Sequence, residues 1–143
     1  MSTATTIAAR IPALNRPVAL FGAIGAALLA NLVVWLIGAA AGGTFEATNA
    51  GQVQSVAPGG IITLTVVPML IGLGAAVLLS YKWIGVLRVA AVTGSVLAVA
   101  TIGMTVNADF DTVSTIALSI THLTLVPAIV VATEGLRRKL IEG

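Results

Sequence analysis

The sequence predicts an all-α membrane protein, a bundle of four transmembrane helices, and three observations carry that prediction. Of its 143 residues 58% are hydrophobic and only 8% charged, where an ordinary soluble domain carries roughly 25% charged residues. The apolar residues gather into four runs, each close to the ~20 residues that cross about 30 Å of hydrocarbon at 1.5 Å per residue. The seven Lys and Arg fall in alternate connecting segments or at their margins, which is the pattern the positive-inside rule produces. The length suits one compact bundle and no second domain.

Residues 1–16 read as a flexible cytoplasmic tail, Ser/Thr/Ala-rich at its start and carrying Arg10 and Arg16. The first helix is expected over residues 17–41. A cleaved signal peptide is the competing reading, but the run is about twice the usual 7–15-residue signal core, which favours a retained anchor. Residues 43–60 are polar, rich in Gly, Asn and Gln, and end in Pro58-Gly59-Gly60, so they read as an exposed, mobile loop. The second helix is expected over 61–79 and the third over 86–106, joined by a short basic connection holding Tyr81, Lys82 and Trp83. Arg88, in the first turn of the third helix, can snorkel to the interface. After a turn at Asn107 to Thr112 the fourth helix is expected over 113–133. Residues 134–143 then form a cytoplasmic tail able to extend that helix into the headgroups.

Sidedness follows from charge. The N-terminal segment, the second connection and the C-terminal segment hold every Lys and Arg, while the other two connections hold Glu46, Asp109 and Asp111 and no base. The basic side is expected to be cytoplasmic, with both termini inside. Trp35, Tyr81 and Trp83 fit interfacial aromatic belts.

The chain has no Cys, which removes disulfides, thiolate nucleophiles and Cys-ligated metals. Its basic residues form no patch for nucleic acid. His122 is the single histidine, about 15 Å into the fourth helix by the helical rise. An ionisable residue at that depth suggests ligand contact or a proton relay; a neutral histidine bonding across the bundle is the plainer reading. One histidine without a strong second ligand makes no metal or haem site, and no cofactor is expected. Asp111, Thr115, Ser119 and His122 fall on one helical face, running inward from the external surface. Asn31, Thr63, Thr65, Thr93 and Thr101 are candidates for the facing wall. Asp109, Asp111 and Glu46 form either an acidic external mouth or, for Asp111, a helix cap.

Leu64-Thr65-Val66-Val67-Pro68 and Leu123-Thr124-Leu125-Val126-Pro127 agree at four of five positions. With a weak Ile-Gly match at Ile37-Gly38 and Ile102-Gly103, this suggests two repeated helical hairpins of the same orientation. Each proline frees the carbonyl four residues back, at Leu64 and Leu123, and the Thr65 and Thr124 hydroxyls are placed to serve it. Small residues recur at four-residue spacing, Gly22, Ala26 and Ala30 in the first helix and Ala90, Gly94 and Ala98 in the third, where backbones can approach closely within the chain or between copies.

Four spans, Asn31, an Asp111-Thr112 start to the fourth helix, His122 and Pro127 resemble an uncharacterised group of small four-helix membrane proteins of actinobacteria. The resemblance implies a bacterial plasma membrane and brings no activity and no functional residue. Small multidrug exporters also have four helices but rely on an intramembrane Glu, and no acid here falls inside a span. The reading expected first is a non-enzymatic accessory or structural subunit that packs with itself or another membrane protein. The alternative is a transporter or binding protein for a small solute, proton or lipophilic ligand, using His122 with Ser119, Thr115, Asn31, Thr65 and Thr124. Enzymatic chemistry is disfavoured, because no nucleophile–base set accompanies the histidine.

Overall fold

The structure, a computed structural model, describes residues 11–143, and helices account for most of them. α1 runs Val18–Ala40, wound as a π-helix over Val18–Gly22 and as an α-helix over Ala23–Ala40. α2 is Pro58–Leu79, α3 Val86–Asn107 and α4 Thr112–Glu142. Each is long and apolar enough to cross a membrane. Their outward surfaces are apolar as well: Leu29, Leu36, Ile71, Leu78, Val92, Leu97 and Ile116 all stand exposed. A helix apolar on every face is at home in hydrocarbon.

Three boundaries differ from those expected. α4 runs past the expected span end at residue 133 to Glu142, the extension open to residues 134–143, because its charged last turns pair along the helix. Glu134 accepts from Arg137 at 2.6 and 2.9 Å, and Glu142 from Arg138 at 3.1 Å, spacings that support a helix without tertiary help. Residues 11–16 are docked, not a free tail. Leu14 N–H donates to the Gly135 carbonyl at 2.9 Å, Arg138 Nη1 donates to the Ile11 carbonyl at 2.6 Å, and the Arg16 guanidinium lies 3.8 Å from the centre of the Tyr81 ring. Gly135 makes this approach possible, since a Cβ there would meet the Pro12 carbonyl oxygen at 2.8 Å. The rest of the expected tail, residues 1–10 with Arg10, lies outside the described residues.

The third difference is the loop at residues 43–60. Glu46–Asn49 (β1) and Gln52–Ser55 (β2) pair antiparallel, with Glu46 opposite Ser55 and Asn49 opposite Gln52. Between them Ala50 and Gly51 have φ of 50° and 78°, the two consecutive positive values of a type I′ turn. The hairpin base is bolted down: Phe45 is 2% exposed, stacked at 5.4 Å against Trp35, whose Nε1 donates to the Val56 carbonyl at 2.9 Å. Gly38 leaves room for the Phe45 ring, which a Cβ there would meet at 2.8 Å.

These contacts define two ends. The hairpin end carries Glu46, Asp109 and Asp111; the opposite, strap end carries the docked residues 11–16, the α2–α3 connection and the basic last turns of α4. α4 packs along α3 and along α1, α2 leans on α1, and α2 meets α3 more lightly. The third helix's small row is used inside the chain, with Gly94 facing Ile129 of α4.

Candidate functional site

A polar layer divides the apolar core into two. Towards the strap end lie Ala19, Ala23, Ala27, Met69, Leu73 and Ile129, and towards the hairpin end Phe45, Ile61, Ala117 and Leu118. On α1, α2 and α4 alike, the residues between these clusters are polar: Asn31, Thr65, and Thr121 with Thr124. The spacing explains why they meet. Ala23, Ala27 and Asn31 follow one another at four-residue steps on the buried face of α1, as Ile61, Thr65, Met69 and Leu73 do on α2. The alanines are small enough to let both neighbouring helices close on the amide.

Asn31 and Thr65 are each 3% exposed. Asn31 Nδ2 donates to Thr65 Oγ1 at 2.9 Å, and the Thr124 hydroxyl donates to Asn31 Oδ1. The same hydroxyl also reaches the Thr121 carbonyl at 2.7 Å, and Thr121 Oγ1 donates to the Leu118 carbonyl at 2.7 Å. One hydroxyl proton serves one acceptor at a time, so the Asn31 amide on α1 and the Thr121 carbonyl compete for the Thr124 hydroxyl. The two repeated pentapeptides thus deliver their threonines to a single amide rather than to the carbonyls freed by Pro68 and Pro127, as the sequence had suggested.

The stripe on α4 does not join this layer. Ser119 Oγ donates to the Thr115 carbonyl at 2.7 Å and Thr115 Oγ1 to the Phe110 carbonyl at 3.5 Å, both within their own chain segment. Thr63 and Thr101 likewise bond back to Gly59 and Leu97. Intrahelical back-bonding is the default for a hydroxyl in a helix, and a helical wheel cannot distinguish it from bonding to a neighbour.

His122 is half-buried and sits between two cavities. One is a cleft of about 530 Å³ in the gap between α2, α3 and α4, walled by Pro68, Gly72, Thr93, Gly94, Leu97, Thr101 and Ile129. The other is a chamber of about 180 Å³ under the hairpin, lined by Asn31, Thr65, Thr105, Phe110 and Thr121. Leu64, His122 and Leu125 line both. Among the described residues no Asp, Glu, Lys or Arg lines either one. The sequence reading missed Thr105 and Thr121; the signal for Thr121 was its place three residues before Thr124, on the same helical face.

At the hairpin end Asp111 caps α4. It accepts from Ser114 N–H at 2.9 Å and Ser114 Oγ at 2.5 Å, and from Thr44 N–H and Oγ1 at 3.0 and 2.9 Å. Ser114 Oγ in turn accepts from Phe45 N–H at 2.8 Å. The Ser114 hydroxyl first, then its backbone N–H and the Thr44 bonds, hold the Asp111 carboxyl well below the usual carboxylate range. The carboxylate's acceptors are spent on latching the hairpin to the helix. Asp109 and Glu46 stay exposed, and among the described residues no three His, Cys, Asp or Glu gather where they could hold a metal ion. Of the two readings the sequence offered for these acids, Asp111 takes the helix cap, while Asp109 and Glu46 are exposed surface acids.

A family model described as "Family of unknown function (DUF6069)" matches residues 10–139. No curated protein and no solved structure matches the chain.

Proposed function

The chain belongs to the DUF6069 family of unknown function, and from that premise we propose that it is a non-enzymatic, multi-pass protein of a bacterial plasma membrane that binds a lipophilic small molecule beside His122. The observation that carries the reading is the cleft of about 530 Å³ between α2, α3 and α4, apolar but for His122, Thr93 and Thr101. Its size and its few polar groups are those of small-molecule sites, which run to about 300–1,000 Å³. A cleft facing hydrocarbon is open to solutes dissolved in the bilayer. The basic strap end is assigned to the cytoplasm by the positive-inside rule, so the hairpin lies outside. The non-enzymatic reading rests on His122 having no carboxylate or amine beside it among the described residues that line the two cavities.

A second reading, packing against another copy or another membrane protein, is favoured by one feature. Gly22, Ala26 and Ala30 of α1 border an outward groove of about 380 Å³ along α4, and such rows let helices approach closely.

Native mass spectrometry of protein extracted from its own membrane tests both. The first reading predicts a 14.3 kDa chain carrying a small lipophilic adduct that Gly72→Phe abolishes. Gly72 lines the cleft, and an added Cβ there meets nothing within 4 Å, so a side chain can start from this position without displacing a neighbour, and a phenyl ring is the bulk chosen to block the site. Multiples of the chain mass would favour the second reading. A bare monomer, or an adduct indifferent to Gly72→Phe, would refute the first.

A further inference from the structure

The chemistry of the two cavities goes further than the existence of a site. Resting on the ligand-binding reading above, we infer that the occupant is a neutral-headed amphiphile. Its small head sits in the chamber under the hairpin, its apolar chain lies in the cleft, and His122 marks the junction.

The cavities differ in degree. In the chamber Asn31, Thr65, Thr105, Thr121 and His122 share about 180 Å³ with apolar neighbours such as Ile61 and Phe110. The cleft is larger and its lining is almost wholly aliphatic, with Leu73, Leu97 and Ile129 among its walls. An amphiphile matches that gradation: its head can exchange hydrogen bonds at the more polar end while its chain fills the apolar wall of the cleft.

Charge sets the class of head. With no ionisable lining residue except the histidine among the described residues, an anionic or cationic head would enter without a counter-ion there, and an unpaired buried charge is the costliest group to desolvate. A hydroxyl, carbonyl or amide costs far less and can exchange hydrogen bonds with threonine hydroxyls and with either nitrogen of the imidazole. Thr105 and His122 are the groups best placed to respond. Asn31 and Thr65 are committed to each other, and Thr121 Oγ1 is held by the Leu118 carbonyl. Among the described residues Thr105 Oγ1 has a long 3.3 Å bond to the Thr101 carbonyl as its one partner, and the His122 ring has none.

The test uses full-length protein in zwitterionic vesicles and a photoreactive long-chain alcohol as the probe. Competitors are an alkyl sulfonate and an alkyl trimethylammonium of the same chain length, each charged at any accessible pH. The alcohol should label residues of the cleft and be displaced by unlabelled alcohol at least tenfold more effectively than by either ion. Thr105→Val and His122→Phe should each weaken alcohol binding several-fold, up to about tenfold, the range for one neutral hydrogen bond. Because Thr105 makes no interhelical bond, Thr105→Val also separates loss of a contact from loss of the fold. Equal competition by the ions, or unchanged affinity in both variants, overturns the neutral-head inference while the cleft remains a binding site. Labelling spread evenly over exposed residues such as Leu29 and Leu78, with no saturable site, overturns the ligand-binding reading as well.

Discussion

Thr65 and Thr124 hold the same place in two copies of one pentapeptide, and the Asn31 amide on α1 reaches both. An amide can do this because its donor and acceptor atoms project from one planar group in two directions, one towards each neighbouring helix. Interhelical hydrogen bonds in membranes average about 0.6 kcal/mol and reach about 1.7, so Asn31→Leu should cost on the order of 1 kcal/mol in reversible unfolding in mixed micelles. Thr65→Val and Thr124→Val should each cost less, and neither should add further loss in the Asn31→Leu background. Simple additivity would mean that the threonines act elsewhere. The sequence picks out all three residues as polar groups inside apolar runs, yet not their meeting, since the pairing depends on how α2 and α4 rotate against α1. Ser119 and Thr115 show the converse. Their shared face was readable from a period of 3.6, but each hydroxyl satisfies itself within its own chain segment.

Helices were legible wherever apolarity defined them and illegible where something else did. The last turns of α4 are held by Glu134–Arg137 and Arg138–Glu142 pairs, so apolarity marks the end of the span near residue 133 and leaves the helix's continuation beyond it open. The hairpin escaped for a related reason: its strands, Glu-Ala-Thr-Asn and Gln-Val-Gln-Ser, are short, polar and without the apolar alternation that marks a strand. Its turn uses Ala-Gly instead of the Asn-Gly that signals type I′. Ala50 at φ 50° bears a steric penalty of roughly 1 kcal/mol that asparagine tolerates better. Ala50→Asn should therefore slow amide exchange across β1 and β2 by up to about fivefold, corresponding to at most about 1 kcal/mol. Unchanged or faster exchange would show that the turn is not the hairpin's weak point and that the Phe45 and Asp111 anchorage governs it.

At the scale of the molecule, two differently built ends cap an apolar middle. One end is a latched hairpin with acids around it, the other a strap with bases around it, and between them large aliphatic side chains face outward on all four helices. That division was written in the order of charges along the chain, because sidedness is enforced segment by segment and needs no tertiary information. The cleft was not, because it is a gap between helices, set by which pairs pack closely and which do not. Everything proposed for the site assumes that hydrocarbon, not water, surrounds the four helices. The absence of native cysteine allows a direct measurement: single cysteines at Ala50, Gly143, Leu29 and Val92, probed in intact cells with a membrane-impermeant maleimide. The account predicts that Ala50→Cys reacts at once, Gly143→Cys only after permeabilisation, and Leu29→Cys and Val92→Cys under neither condition until the membrane is dissolved. Rapid labelling of Leu29→Cys or Val92→Cys in an intact membrane would place water where the structure needs lipid, and would contradict the account at its root.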